Sequence, residues 1–194
     1  MLSRRAAINT RLLPSPAKGS RGEKGLPRQV SDEPTFEAVV REHGAMIARI
    51  AASHEARPHL AEELVQEIWF AVWRALPAFR GDSSLRTFVA RIAANRAASH
   101  VAKAVRTPKA QDADEALVAS GDDPEADALA RDRSARLLAA LRELPLVSRQ
   151  AVTLTLEGFG PTEIAASLGI SANAVSIRLA RAKEHLRRRM GDEE

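Results

Sequence analysis

Asn173, Ser176, Arg178 and Arg181 lie within nine residues of one another in the stretch "SANAVSIRLARAKEHLRRRM". Helical spacing turns Asn173, Ser176, Ile177, Ala180 and Arg181 outward, while Val175, Leu179 and Ala182 face in. An amide, a hydroxyl and guanidinium groups make and break no bonds in such a set. Their chemistry is recognition, the amide and hydroxyl pairing with base edges and the arginines holding backbone phosphates. Arg178, Arg181, Lys183, Arg187, Arg188 and Arg189 concentrate the charge, and from Arg178 to Arg189 the net is +5. A basic terminal helix can equally be a solvated surface, so the elements in front of it must decide.

Those elements read as a helix-turn-helix. Thr162 can cap a helix running to about Leu168, with Glu163 favourable in its first turn. Ala165 is small where a second helix would cross closely. Gly169 can take the positive φ that a three- or four-residue turn requires. Ile170 plugs the core and Ser171 caps the next helix. The second helix of such a unit enters the major groove with its N-terminal half at the bases, here Asn173 and Ser176.

Two other constellations carry polar chemistry. In "HLAEELVQEIWFAVWRAL", Leu64, Val65, Ile68, Val72, Ala75 and Leu76 form an apolar stripe, and Glu63, Gln66, Glu67, Phe70 and Arg74 fall on the other side. In "LRTFVARIAANRAASHVAKAV", Leu85, Phe88, Val89, Ile92 and Ala93 are buried positions, and Arg91, Asn95, Arg96 and Ser99 are polar ones. His54, His59, Glu62, Glu63 and Glu67 invite comparison with a carboxylate–histidine metal site. Such a site needs Glu-x-x-His repeated on facing helices, and no such repeat is present. His59 sits beside a proline at a helix start, His43 precedes a glycine, and His100 and His185 lie alone. No metal, cofactor or enzymatic activity is expected.

Composition agrees. The 194 residues include no Cys and no Tyr, and only seven Phe or Trp. Disulfides and thiolate metal sites are excluded, a cytoplasmic setting is expected, and the alanine-rich, charged mixture favours helices over strands. No apolar run approaches the roughly 18 residues of a membrane span, and the N-terminus lacks the apolar core of a signal peptide. The net charge of +4 conceals an uneven distribution, since residues 1–30 carry seven Lys or Arg against one acid, Glu23.

The organisation follows. Residues 1–32 are expected to be a disordered basic tail, a solvated extension or a phosphate-touching arm. From Thr35 a helical period runs through Phe36, Val39, Val40, Met46, Ile47 and Ile50, and Arg57-Pro58-His59 breaks it before the next helix. Residues 107–132 are expected to be a flexible acidic linker, with seven acids against Lys109 between 107 and 128 and a weak turn at Glu115 to Val118. The period returns through Leu137, Leu138, Leu141 and Leu144 and stops at Pro145; "SRQAVTLTLEGF" is a further short helix. The fold class is all-α: an N-terminal helical bundle (33–106) and a C-terminal helix-turn-helix bundle (133–190) on the linker. Their relative placement is expected to be set by a partner or by packing.

Taken together, the quoted stretches resemble the bacterial RNA polymerase sigma factors of the sigma-seventy superfamily, the small extracytoplasmic-function (ECF) class. The first half carries the acidic-Leu-Val-Gln-Glu helix, an aromatic-Arg-Gly loop, and a helix that begins Leu-Arg-Thr-aromatic and contains Arg-Ile-Ala-x-Asn. The second carries Leu144-Pro145, "LEGF", "EIAASLGIS" and "AVSIRLARAKEHL". The resemblance implies a dissociable initiation subunit that selects and melts promoter DNA in a stress response, while the polymerase does the catalysis.

It implies residues as well. Glu63, Gln66, Glu67 and Phe70 match the face that docks on core RNA polymerase. Phe79, Arg80, Gly81, Asp82 and Ser83 match the loop that captures an unpaired base of the minus-ten element, and Arg91, Asn95 and Arg96 match the helix presented to the non-template strand. Ser171, Asn173, Ser176, Arg178, Arg181 and Lys183 would meet the minus-thirty-five element. ECF proteins are commonly held by an anti-sigma factor, a partner that the sequence leaves open. The chain departs from the pattern at Ser176, where many relatives are basic, at Ile177, often small and polar, and at Ala180, often aromatic or His. Phe88 replaces a frequent Trp and Ala90 an aromatic. A LuxR-type regulator shares residues like "EIAASLGIS" but would normally carry a phosphate-accepting or ligand-binding first domain, of which this chain has no sign.

Overall fold

A computed structural model describes residues 34–106 and 124–191, and among them the secondary structure is entirely helical. The tail 1–32 and the 107–123 part of the linker lie outside the described residues. Seven α-helices follow in order: α1 (Phe36–His54), α2 (Pro58–Ala75), α3 (Leu85–Arg106), α4 (Pro124–Glu143), α5 (Leu146–Leu156), α6 (Pro161–Leu168) and α7 (Ala172–Met190), with a 3-10 turn at Leu76–Ala78. Helix α4 thus begins inside the stretch read as linker.

Local chemistry fixes most boundaries. Thr35 Oγ1 accepts the Ala38 amide at 3.3 Å and starts α1. Pro58 opens α2, where its missing N–H costs nothing. Ser84 Oγ accepts the Thr87 amide at 3.1 Å ahead of α3. Thr162 does not cap α6: the cap is Gly160, two residues earlier, the helix starts at Pro161, and the Glu163 carboxylate accepts the Gly160 amide at 2.9 Å. Gly169 has φ +67° and ψ +33°, and Ile170 N donates to Ala165 O at 3.1 Å, which closes the helix and aims the chain into α7. A Cβ at Gly169 would meet nothing within 4 Å, so Gly169→Ala carries only backbone strain. A loss of about 1 kcal/mol in urea denaturation is expected.

The two helical modules are both present, and they are in contact. Val39, Ile47, Ile50, Leu64, Ile68, Val72 and Val89 of α1–α3 form one apolar core with Ala151, Leu154, Phe159, Ile164 and Val175 of the second half. A smaller cluster, Leu141, Leu144, Val152 and Ala182, ties α4 and α5 to α7. In this structure the contact between them is made by the chain's own residues. The physical reason is a row of small residues on α3. Ala90, Ala94 and Ala97 are buried there, which lets α5 and α6 come close.

Polar bonds cross the same seam. Gln150 Nε2 donates to Ala94 O at 2.8 Å, Thr153 Oγ1 to Ser53 Oγ at 3.1 Å, and Arg142 Nη2 to Ala52 O at 2.8 Å. Glu157, just past α5, takes Arg49 Nε at 2.6 Å and Nη2 at 2.7 Å on its two carboxylate oxygens. Arg86 donates to the Glu157 carbonyl while its guanidinium lies 4.1 Å from the centre of the Phe159 ring.

Candidate nucleic-acid interface

Helix α7 supplies the most regular surface. Ser171 Oγ accepts the Ala174 amide at 3.2 Å, as the sequence predicts, and Val175 and Ala182 are buried. Asn173, Ser176, Ile177, Ala180 and Arg181 are exposed in a row along the helix. Ser176 Oγ bonds back to Ala172 O at 3.2 Å, a contact that a base edge would have to replace. Arg178 is half-buried and folds back to Ala174 O at 3.1 Å, so it stands at the edge of this row rather than in it. Lys183 is exposed but borders an apolar groove between α5 and α7 lined by Val152, Leu156, Leu179 and Leu186.

Helix α3 carries a second surface. Arg91, Asn95 and Arg96 are exposed, and Arg91 lies 5.9 Å from the Phe88 ring centre. In the loop before α3, Arg80, Gly81, Asp82 and Ser83 are exposed, with Gly81 at φ +77°. Phe79 is not splayed outward: its ring packs on Phe88 at 5.0 Å between centroids. The loop is thus anchored at its aromatic end and open at its polar end.

The third surface, on α2, faces away from the core. Glu63, Gln66 and Glu67 are exposed along one side, and Phe70 continues that side at 57% exposure. Trp73, which sequence reasoning passed over, is 56% exposed and stacks on Phe70 at 5.9 Å with 30° between planes. Arg74 sits 5.8 Å from the Phe70 ring centre. The signal was available, since Trp73 lies three residues from Phe70 and off the buried stripe. Two adjacent exposed aromatics flanked by carboxylates are an uncommon composition for a face that meets only solvent.

Behind these surfaces lies a buried polar seam. Glu55 accepts Arg57 Nε at 3.0 Å and contacts His100 Nε2 at 2.9 Å. Burial alone would raise the Glu55 carboxyl, but the hydrogen bonds from Arg57 and His100 outweigh it and hold it at about 2. His54 is buried, and burial is the largest cause lowering its imidazole to about 4. Among the described residues no group of three or more His, Asp or Glu is placed to hold a metal ion, and no helix is long and apolar enough to cross a membrane.

Comparison with known proteins bears on these surfaces. Residues 39–107 match the family model for Sigma-70 region 2, and residues 134–186 match that for Sigma-70, region 4. The RNA polymerase sigma factor NccH of Alcaligenes xylosoxydans xylosoxydans is 32% identical over 162 residues, 80% of this chain and 86% of the relative. The ECF RNA polymerase sigma-E factor of Escherichia coli (strain K12) is 29% identical over 166 residues with the same coverage. Among solved structures, CnrH in complex with the cytosolic domain of CnrY is similar with a TM-score of 0.57 and 28% identity, covering 78% of this chain and 84% of that one. The sigma factor RpoE in complex with the anti-sigma factor NepR from Bartonella quintana reaches a TM-score of 0.65 over 82% of this chain and 98% of that one; at 20% identity the likeness is one of fold. With both regions present in order, and helical bundles that fold as theirs do, this chain belongs to the ECF class of the sigma-70 family of RNA polymerase sigma factors.

Proposed function

We propose that this sigma factor docks on core RNA polymerase through α2 and reads promoter DNA through α3 and α7. The observation that carries the reading is that the matched regions turn three separate polar faces outward on one chain. Region 2 spans residues 33–106 in this reading and region 4 residues 133–190, with residues 107–132 as the tether. Glu63, Gln66, Glu67 and Phe70, joined by Trp73, form the polymerase-docking face. Carboxylates and paired aromatics suit a basic helical partner.

Arg91, Asn95 and Arg96, with Arg80, Gly81, Asp82 and Ser83 of the preceding loop, engage the non-template strand of the minus-ten element. Phe79, whose ring packs on Phe88, belongs to the same minus-ten surface at the anchored end of the loop. Extruding a base costs a few kcal/mol, and a pocket at the open end of the loop recovers part of it. Asn173, Ser176 and Arg181 read the minus-thirty-five element; Ser171 fixes the helix start, and Arg178 and Lys183 reach phosphates at its edges. The protein catalyses nothing and works in the cytoplasm with the polymerase. An anti-sigma factor, as in the RpoE–NepR structure, is a further partner in this reading.

The test is transcription by purified core polymerase on a genomic fragment library, with and without this protein. Transcripts with defined start points that depend on the protein are expected; their absence, together with failure to co-purify with core polymerase, overturns the reading. The docking face has its own test. Phe70→Ala combined with Trp73→Ala is expected to weaken core-polymerase binding about 10- to 100-fold, as removal of clustered aromatic anchors does. Both side chains are more than half exposed, so the fold itself should be unchanged by circular dichroism.

A further inference from the structure

The exposed row on α7 contains one residue that neither the core nor the polar chemistry explains. Ile177 is 44% exposed, yet it is a large, branched apolar side chain. It belongs to neither hydrophobic cluster, since Val175, Leu179 and Ala182 supply the inward contacts of α7. Its neighbours on the outward row are Asn173 one turn before, Ser176 beside it, and Ala180 and Arg181 one turn after. A single exposed isoleucine is ordinary on a protein surface. In the middle of a base-reading row it is a chemical choice.

Base edges in the major groove offer hydrogen-bond donors and acceptors, and the largest apolar group among them is the C5-methyl group of thymine. An isoleucine cannot satisfy the donors and acceptors, and placed against them it would strand them without water. Against the methyl it removes apolar surface from water on both sides. Branching at Cβ leaves the side chain few rotamers to lose on binding. Ala180, one turn on, is too small to hold the DNA away. We propose that Ile177 is a specificity-determining residue that reads the C5-methyl group of a thymine in the minus-thirty-five element. Asn173 and Ser176 then read hydrogen-bonding edges on neighbouring base pairs, and Arg181 meets the backbone. The proposal rests on the promoter-reading function above.

The experiment uses holoenzyme assembled from core polymerase and the full chain, on a promoter whose start point has been mapped by library transcription. Each thymine of its minus-thirty-five element is replaced in turn by deoxyuridine, which pairs identically and lacks only the methyl. One replacement is expected to weaken wild-type binding about 3- to 10-fold, the scale of one buried methyl contact or slightly more. The Ile177→Ala holoenzyme should bind thymine and deoxyuridine at that position equally, at the wild-type affinity for deoxyuridine. If no deoxyuridine affects the wild type, or if Ile177→Ala keeps the discrimination, Ile177 does not read a methyl. If no transcript depends on the protein, the promoter reading itself fails and this assignment falls with it. The two failures are distinct because dependence on the protein is scored before any deoxyuridine is introduced.

Discussion

Lowering the pH from 7 to 4 is expected to remove about 3 kcal/mol from the stability of the packed structure, chiefly through His54. Its Nδ1 lies 2.8 Å from Ile50 O and 2.9 Å from Ser53 Oγ, while its buried Nε2 meets no hydrogen-bond partner. Burial lowers the imidazole from 6.5 to about 4, the Ile50 carbonyl opposing and nearby Arg149 and His100 adding to the effect. The unfolded chain takes up this proton near 6.5 and the folded chain only near 4. The contribution is therefore complete above pH 6.5 and declines by about 1.4 kcal/mol per pH unit between those values. His43 is lowered by burial as well and acts in the same direction. Glu55, held at about 2 against an ordinary 4.5, adds a further loss only below pH 4.5. Urea denaturation at stepped pH checks this. The His54→Gln protein should show a flatter profile between pH 6.5 and 4.5, and an unchanged slope would remove His54 from the explanation.

Reversing one charge should have an effect of similar size on the seam between the halves. Glu157 is only 7% exposed at its side chain and is held bidentately by Arg49, with Arg86 donating to its carbonyl. Glu157→Arg removes the acceptor and places a third guanidinium between two others. A cost of about 3 kcal/mol is expected, the scale of leaving a buried charge without its partner. Because each half keeps its own helices, separation rather than melting should follow. The chain has no cysteine, so Ala45→Cys and Ala166→Cys give one labelled pair on exposed positions of α1 and α6. Distances between the labels should lengthen and broaden in Glu157→Arg, and adding Arg49→Glu should restore part of the wild-type distribution. A distance unaffected by Glu157→Arg would show that the apolar seam suffices without this ion pair.

Much of the fold was legible because the inward positions carry large side chains at helical spacing. Leu64, Ile68 and Val72 on α2, and Val175 and Leu179 on α7, have no alternative partner but a core. Gly169 and Ser171 were legible for a different reason, since positive φ and an N-cap each select few residue types. The seam was not legible. Ala90 and Ala94 are compatible with solvent or with close packing, and a methyl carries no signal to distinguish them. Ala90, which stands where relatives often have an aromatic, is part of a seat for the second half. Arg178 shows another limit, because spacing places a Cα on a helix but not the rotamer, and this guanidinium turns back to Ala174 O. At α6, the proline at the first position was a better guide to the helix start than Thr162.

The packing of α3 against α6 has a consequence in length. Neighbouring helices pack with axes about 8–10 Å apart, so α3 and α7, each in contact with α6, stand within roughly 20 Å of each other. The minus-ten and minus-thirty-five elements, by their names, are about 25 base pairs apart, or about 85 Å along B-DNA at ~3.4 Å per base pair. One rigid body of this shape cannot touch both. A chain that engages both elements must come apart along the alanine row of α3 first. On the proposed reading, the bonds across that seam, the Arg49–Glu157 pair among them, are what polymerase and promoter binding would have to break before α7 is free.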